Sequence, residues 1–293
     1  MTVSGRLAPL VFSLALALPP LVTAAAPARW KLAREVPVPQ GTVVVAFLDD
    51  QRTFSTGCPA PMHRSVDGGK SFSPGYARDL CRYGLEAVPG LVVNVGGGGD
   101  VRLSPDVGVH YERGGTFGDA FPHHPRHVSF VDAKRGLVAT DEEVGLTTDG
   151  GRTWQRLLPP EEAAPVAAVS LAEQRGQLVL RLLDVNGDLW RSGDGGRTWS
   201  GVATPLPKGV LPSTKGPTAA LRFMGAEGIL AATLNEGGGL EGHVYRTTDG
   251  GKTWKEEGLS APFQGAVVTL SVDGRILSAV DGAGTAVKVY RAE

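Results

Sequence analysis

The sequence predicts an all-β fold, a single β-propeller of six blades, and three observations carry that expectation. One eight-residue pattern recurs along most of the chain, its aspartates stand 39 to 55 residues apart, and the stretches between the repeats are short apolar runs broken by turn residues. A fixed period of this length is what a four-stranded blade needs, whereas simple hairpin repeats recur faster. The 41 Gly and 21 Pro are spread among those runs, as many short strands joined by turns require, and no long helix can be placed.

Four copies are near ideal: SVDGGKSF (65–72), TTDGGRTW (147–154), SGDGGRTW (192–199) and TTDGGKTW (247–254). A fifth, SPDVGVHY (104–111), is degenerate. The aspartates are Asp67, Asp106, Asp149, Asp194 and Asp249, with separations of 39, 43, 45 and 55 residues. Within each copy the carboxylate can accept backbone N–H bonds from the turn it begins, and the glycines supply angles that side chains with a Cβ resist. Phe72, Trp154, Trp199 and Trp254 then return to extended structure and offer a large ring for burial. These residues are expected to staple the fold and take no part in chemistry.

Two strand-like runs precede each copy, as in HVSFVD (127–132) and GLVATD (136–141), so each blade reads as strands a, b and c, the Asp turn, and strand d. Five blades follow from this order. The tail supplies three more strands in AVVTLSVD (266–273), RILSAVD (275–281) and AVKVYRAE (286–293), and stops where a sixth turn would begin. ARWKLAREV (28–36) resembles the strands after the repeats, with Trp30 in the place of the tryptophan. Pairing it with 286–293 would close the ring and remove two exposed strand edges.

Residues 1–26 read as a signal peptide: Arg6 gives a positive start, Leu7–Leu18 an apolar segment, and Ala24, Ala25 and Ala26 a small-residue cleavage site, with cutting after Ala24 or Ala25. An uncleaved anchor is the alternative, but Pro19 and Pro20 end a run shorter than the roughly 20 residues a spanning helix needs. The propeller then occupies 27–293, in the periplasm or outside the cell, with no stable membrane span after cleavage and as a monomer. Charge is balanced, 29 Lys plus Arg against 30 Asp plus Glu, which removes the broad attraction that nucleic-acid binders use. Cys58 and Cys81 are the two cysteines, and in an exported chain the pair favours a disulfide. Two separate thiols, or a Cys–His nucleophile using His63, are the alternatives.

The face opposite the Asp turns would collect the b-to-c loops and the connections between blades. It gathers acidic residues, Asp100, Asp141, Glu142, Glu143, Asp188, Glu236, Glu241 and Asp281, and the connection FPHHPRH (121–127) with His123, His124, Arg126 and His127. A pair of these carboxylates could act in glycoside hydrolysis or ligate a hard cation, and solvated loop charge is the plainer reading. The histidines lack a carboxylate or cysteine at a recognisable ligand interval, so a surface interaction loop is expected there, with no metal and no cofactor.

The repeat resembles the Asp-box, or bacterial neuraminidase repeat (BNR), superfamily over nearly all of the chain after residue 26. VSFVDAKRGLVATDEEVGLTTDGGRTW (128–154), with VAFLDDQ (45–51) and LRFMGAE (221–227), is similar in wording to photosystem II stability and assembly factor-like propellers and to sialidase-like non-catalytic ones. That resemblance implies an exported, non-catalytic binding or assembly module holding a protein or glycan partner. The alternative it allows is an exported glycoside hydrolase, sialidase-like or glucanase-like, with Asp141, Glu142 and Glu143 as first candidates. The Arg-Ile-Pro motif of sialidases is missing, and the residues before Ser65 read CPAPMHR.

Overall fold

The computed structural model describes residues 29–58, 61–75, 81–115, 124–212, 218–264 and 267–293. The proposed signal segment, 1–26, lies outside the described residues.

Strand β1 (Trp30–Pro37) comes first among the described residues, and blade 1 follows with β2 (Thr42–Phe47), β3 (Thr53–Gly57), β4 (His63–Ser65) and β5 (Ser73–Pro74). Blade 2 holds β6 (Arg82–Val88), β7 (Leu91–Gly96), β8 (Asp100–Ser104) and β9 (Glu112–Arg113). Blade 3 holds β10 (His127–Phe130), β11 (Gly136–Ala139), β12 (Val144–Thr147) and β13 (Gln155–Leu157). Blade 4 holds β14 (Val166–Gln174), β15 (Gln177–Asp184), β16 (Leu189–Ser192) and β17 (Ser200–Val202). Blade 5 holds β18 (Ala219–Met224), β19 (Glu227–Glu236), β20 (Gly239–Thr247) and β21 (Lys255–Glu256). Blade 6 has β22 (Val267–Leu270), β23 (Ile276–Val280) and β24 (Ala286–Ala292), and its sheet order β1-β24-β23-β22 takes the fourth strand from the other end of the chain.

All pairings are antiparallel, and closure runs from Trp30 opposite Ala292 to Pro37 opposite Ala286. The six first strands, β2, β6, β10, β14, β18 and β22, touch one another in sequence around the axis. Trp30 is 0% exposed and its indole N–H donates to Glu257 Oε2 at 2.7 Å, while Trp199 and Trp254 donate to the carbonyls of Leu158 and Ala203 on the blade before. Trp30 therefore does hold the tryptophan place of blade 6, with a carboxylate accepting instead of a carbonyl.

The core is split into six apolar layers, one between each pair of neighbouring blades. Between blades 5 and 6, for example, Ile229, Ala231 and Val244 meet Val268, Leu277, Tyr290 and Trp30. Strands buried on both faces explain the near-continuous apolar runs of the sequence. Each layer stabilises only the two blades it joins, so closing the ring adds the sixth.

The Asp turns form as expected. In blade 3, Arg152 and Thr153 donate backbone N–H bonds to Asp149 Oδ1 at 3.0 and 2.9 Å, and the Thr153 hydroxyl donates to Oδ2 at 2.6 Å. Gly150 and Gly151 have φ of 77° and 85°. The degenerate copy keeps the geometry at a cost: Val107 has φ of 60° where the others carry glycine, an unfavourable angle for a β-branched residue.

Candidate functional site at the mouth of the central channel

Hydrogen bonds fix which loops share a face. The N–H groups of Gly68, Gly150 and Gly250, inside the Asp turns, donate at 2.8 Å to Gln51, Lys134 and Ala226 in the a-to-b turns. On the opposite face Cys58 N–H donates to Gly41, Arg126 N–H to Ala139 and Val166 N–H to Asp141, tying b-to-c loops to the connections between blades.

The turn aspartates are locked as ions. The Thr198 hydroxyl and then its N–H hold Asp194 well below the usual carboxylate range, and Ser71 and Thr253 do the same for Asp67 and Asp249. At Asp106 the His110 N–H is the leading cause. At Asp149 burial pushes upward, but the Thr153 bonds outweigh it and leave the group at about 2. A carboxylate held this way cannot donate a proton near neutral pH.

Cys58 and Cys81 are joined as a disulfide, which links the b-to-c loop of blade 1 to the connection into blade 2. This corrects the alternative of a Cys–His nucleophile with His63, since both sulfurs are bonded to each other. Burial lowers the His63 pKa as well.

Most of the acidic residues of this face are engaged one by one, each with a different partner. Asp100 is 8% exposed and accepts from Arg102 Nε at 3.0 Å. Glu143 is buried and paired with Arg156, and Asp188 with Lys208. Asp281 takes the Thr285 N–H and hydroxyl at 2.8 and 2.7 Å. Glu241 accepts from Gln264 Nε2 at 2.9 Å, and Glu236 lies 3.4 Å from His243 Nε2. Glu142 is exposed beside them. Among the described residues no cluster of three or more His, Cys, Asp or Glu could hold a metal ion.

The connection into blade 3 does reach the axis. His123 lies outside the described residues, and His124 is exposed, with its Nδ1 accepting the Gly98 N–H at 3.0 Å. Arg126 is half-buried at the channel mouth, 5.8 Å over the Tyr83 ring and 3.7 Å from Asp141 Oδ1. His127 is buried, and burial brings its pKa down to about 4 despite the Asp141 charge. It is therefore neutral at neutral pH. Gly84 is required here, because a Cβ would sit 2.6 Å from the Arg126 carbonyl.

Below the mouth, Glu86 of β6 and Arg222 of β18 form an ion pair across the axis between blades 2 and 5. Arg222 Nη1 also donates to Ser129 Oγ at 3.2 Å and to the Phe130 carbonyl at 3.3 Å, in blade 3. The cavity left above this bar has a volume of about 60 Å³ and takes residues from all six first strands. Sequence reasoning missed Tyr83, Glu86 and Arg222. Its available signal was a lone charge inside an apolar strand, as in GLEAV (84–88) and ALRFM (220–224).

The BNR/Asp-box repeat model matches residues 245–256, the turn of blade 5. The chain is a six-bladed β-propeller whose blade turns carry the Asp-box pattern. The propeller is 32% identical over 136 residues to the photosystem II assembly lipoprotein Ycf48 of Synechococcus sp. (strain CC9902), a match spanning 45% of this chain and 36% of that relative. It thus spans about a third of the relative's length. Among solved structures, YCF48 from Cyanidioschyzon merolae aligns over 89% of this chain and 98% of its own, with a TM-score of 0.54 and 16% identity. YCF48 bound to D1 peptide aligns over 95% and 100%, with a TM-score of 0.52 and 14% identity. A chain of the mitotic checkpoint complex gives 98%, 99%, 0.59 and 11%. At these identities the likeness is one of fold.

Proposed function

We propose that the protein is an exported, non-catalytic binding or assembly module that holds a polypeptide segment of another exported protein across the mouth of the central channel. The observation that carries this reading is the shallowness of the channel. Sites that enclose a small molecule run to roughly 300–1,000 Å³, against about 60 Å³ above the Glu86–Arg222 bar. A ligand on this face must lie over the mouth, where Arg126 and Tyr83 offer a cation and a ring to a chain passing above. The Ycf48 relatives support a protein partner in preference to a glycan: one is described as an assembly lipoprotein and another is bound to a peptide.

The experiment is quantitative recovery of partners, identified by mass spectrometry, on wild type and on Arg126→Glu with Tyr83→Ala. A defined protein retained by wild type and lost from the double variant supports the reading. Turnover of a sialoside or glucan panel that vanishes in an Asp141, Glu142 and Glu143 triple-Ala variant would overturn it in favour of the hydrolase. N-terminal sequencing of the exported protein tests cleavage after Ala24 or Ala25.

A further inference from the structure

The layer between blades 4 and 5 contains a second arginine in an apolar strand, Arg181 of β15, in QLVLRLLD (177–184). It is 0% exposed, yet among the described residues nothing accepts a hydrogen bond from its Nε, Nη1 or Nη2. The Phe223 ring of blade 5 covers one face of the guanidinium, with Cζ 3.6 Å from the ring centroid, and Trp254 meets that ring edge-on at 5.9 Å. Stacking satisfies the π face of the cation and leaves its in-plane N–H edge without a partner.

The neighbours of Arg181 intensify the problem. Across the blade it stands opposite Ser170 on one side and Arg191 on the other, and Arg191 stands opposite Ser200. Directly paired residues of antiparallel strands project from the same face, with Cβ atoms about 5 Å apart. The row Ser170, Arg181, Arg191, Ser200 therefore faces blade 5 from the axis to the rim, and Ser170 Oγ confirms the direction by accepting the Phe223 N–H at 3.0 Å. No carboxylate among the described residues pairs with either arginine. Glu86 compensates Arg222 on the axis, but nothing equivalent compensates this row. Burial first, and the Arg191 charge second, bring the Arg181 pKa down to about 10, so it stays cationic at neutral pH.

We propose that Arg181 and Arg191 form a binding site for a small inorganic anion of chloride size, held in the layer between blades 4 and 5. Buried water could satisfy the donors, but it cannot offset the buried charge of Arg181 beside the half-buried cation of Arg191. An anion does both. The closed surroundings of Arg181 restrict it to a small ion, and the bound anion ties β15 and β16 to the Phe223 side of blade 5.

The test uses the full protein in urea unfolding, at fixed ionic strength, with chloride exchanged for gluconate, an anion too large for the site. An anion bound only by the native state lowers the unfolding constant by the factor 1 + [Cl⁻]/Kd, about tenfold at nine times Kd. Wild type is expected to show that saturating dependence, and Arg181→Met to lose it. Should Arg181→Met not fold, Arg191→Met is read in its place and is expected to weaken chloride binding. Independently, crystals of wild type soaked in bromide are expected to show an anomalous peak between the two guanidinium groups. A flat chloride response in wild type, or bromide absent from this layer, overturns the proposal.

Discussion

Glu86 and Arg222 meet across the propeller axis from opposite blades, 136 residues apart in the chain, and both are buried. The bar ties blade 2 to blade 5, and through Ser129 and Phe130 to blade 3. A buried pair is worth most when one half is removed, because the other charge is then stranded. Arg222→Met and Glu86→Gln should each cost about 3–5 kcal/mol in urea unfolding, while joint replacement by Met and Leu should recover most of the loss. A double variant whose loss is the sum of the two single losses would show that the pair is not coupled.

His127 predicts a pH dependence of stability. Its ordinary pKa of 6.5 falls to about 4 in the folded protein because burial disfavours the cation. The unfolded chain therefore binds a proton that the folded one refuses. Stability is full above pH 6.5 and declines as pH falls toward 4, by about 1.4 kcal/mol per unit and about 3 kcal/mol in all. His127→Gln should flatten the profile in that window. The Asp-turn carboxylates, also depressed, lose their contribution at lower pH, beginning near 3.8, so the two effects separate in an acid titration.

Asp149 organises its turn through four bonds, from Thr147, Arg152 and twice from Thr153. Asp149→Ala should cost about 1–3 kcal/mol, with Arg152 and Thr153 N–H groups left to water. Hydrogen exchange should rise first at residues 150–154, leaving partner binding unchanged.

The disulfide closes a loop across a sequence separation of 23 residues. A Cys58→Ser, Cys81→Ser variant should lose about 2–4 kcal/mol in the loop-entropy account. Chemical denaturation with and without reductant checks this directly, since the wild type under reductant should reach the variant's stability.

The repeats made the blades legible because each turn needs Asp, glycines and a hydroxyl at fixed positions, and Trp30 gave away the closure by standing outside any such turn. Val107 was harder to interpret: it occupies a left-handed angle that the sequence alone would assign to glycine. The channel mouth was half legible. Arg126 and His127 were singled out as surface groups, but burial separates them, one reaching the face and the other sealed beneath it. The charges of Glu86, Arg181 and Arg222 escaped notice because their meaning depends on partners brought from distant blades, or on the lack of them, and neither is a local property of a strand.

The closing strand also constrains the order of events in making the protein. Glu293 N–H bonds to the Arg29 carbonyl at 2.9 Å, so β1 waits unpaired until β24 has been made. Until those two strands meet, the chain can build blades 1 to 5 and their four mutual layers, but the ring stays open. Closure is thus the late step: the native circle, and with it a channel mouth of fixed shape, comes into being only when β1 and β24 find each other.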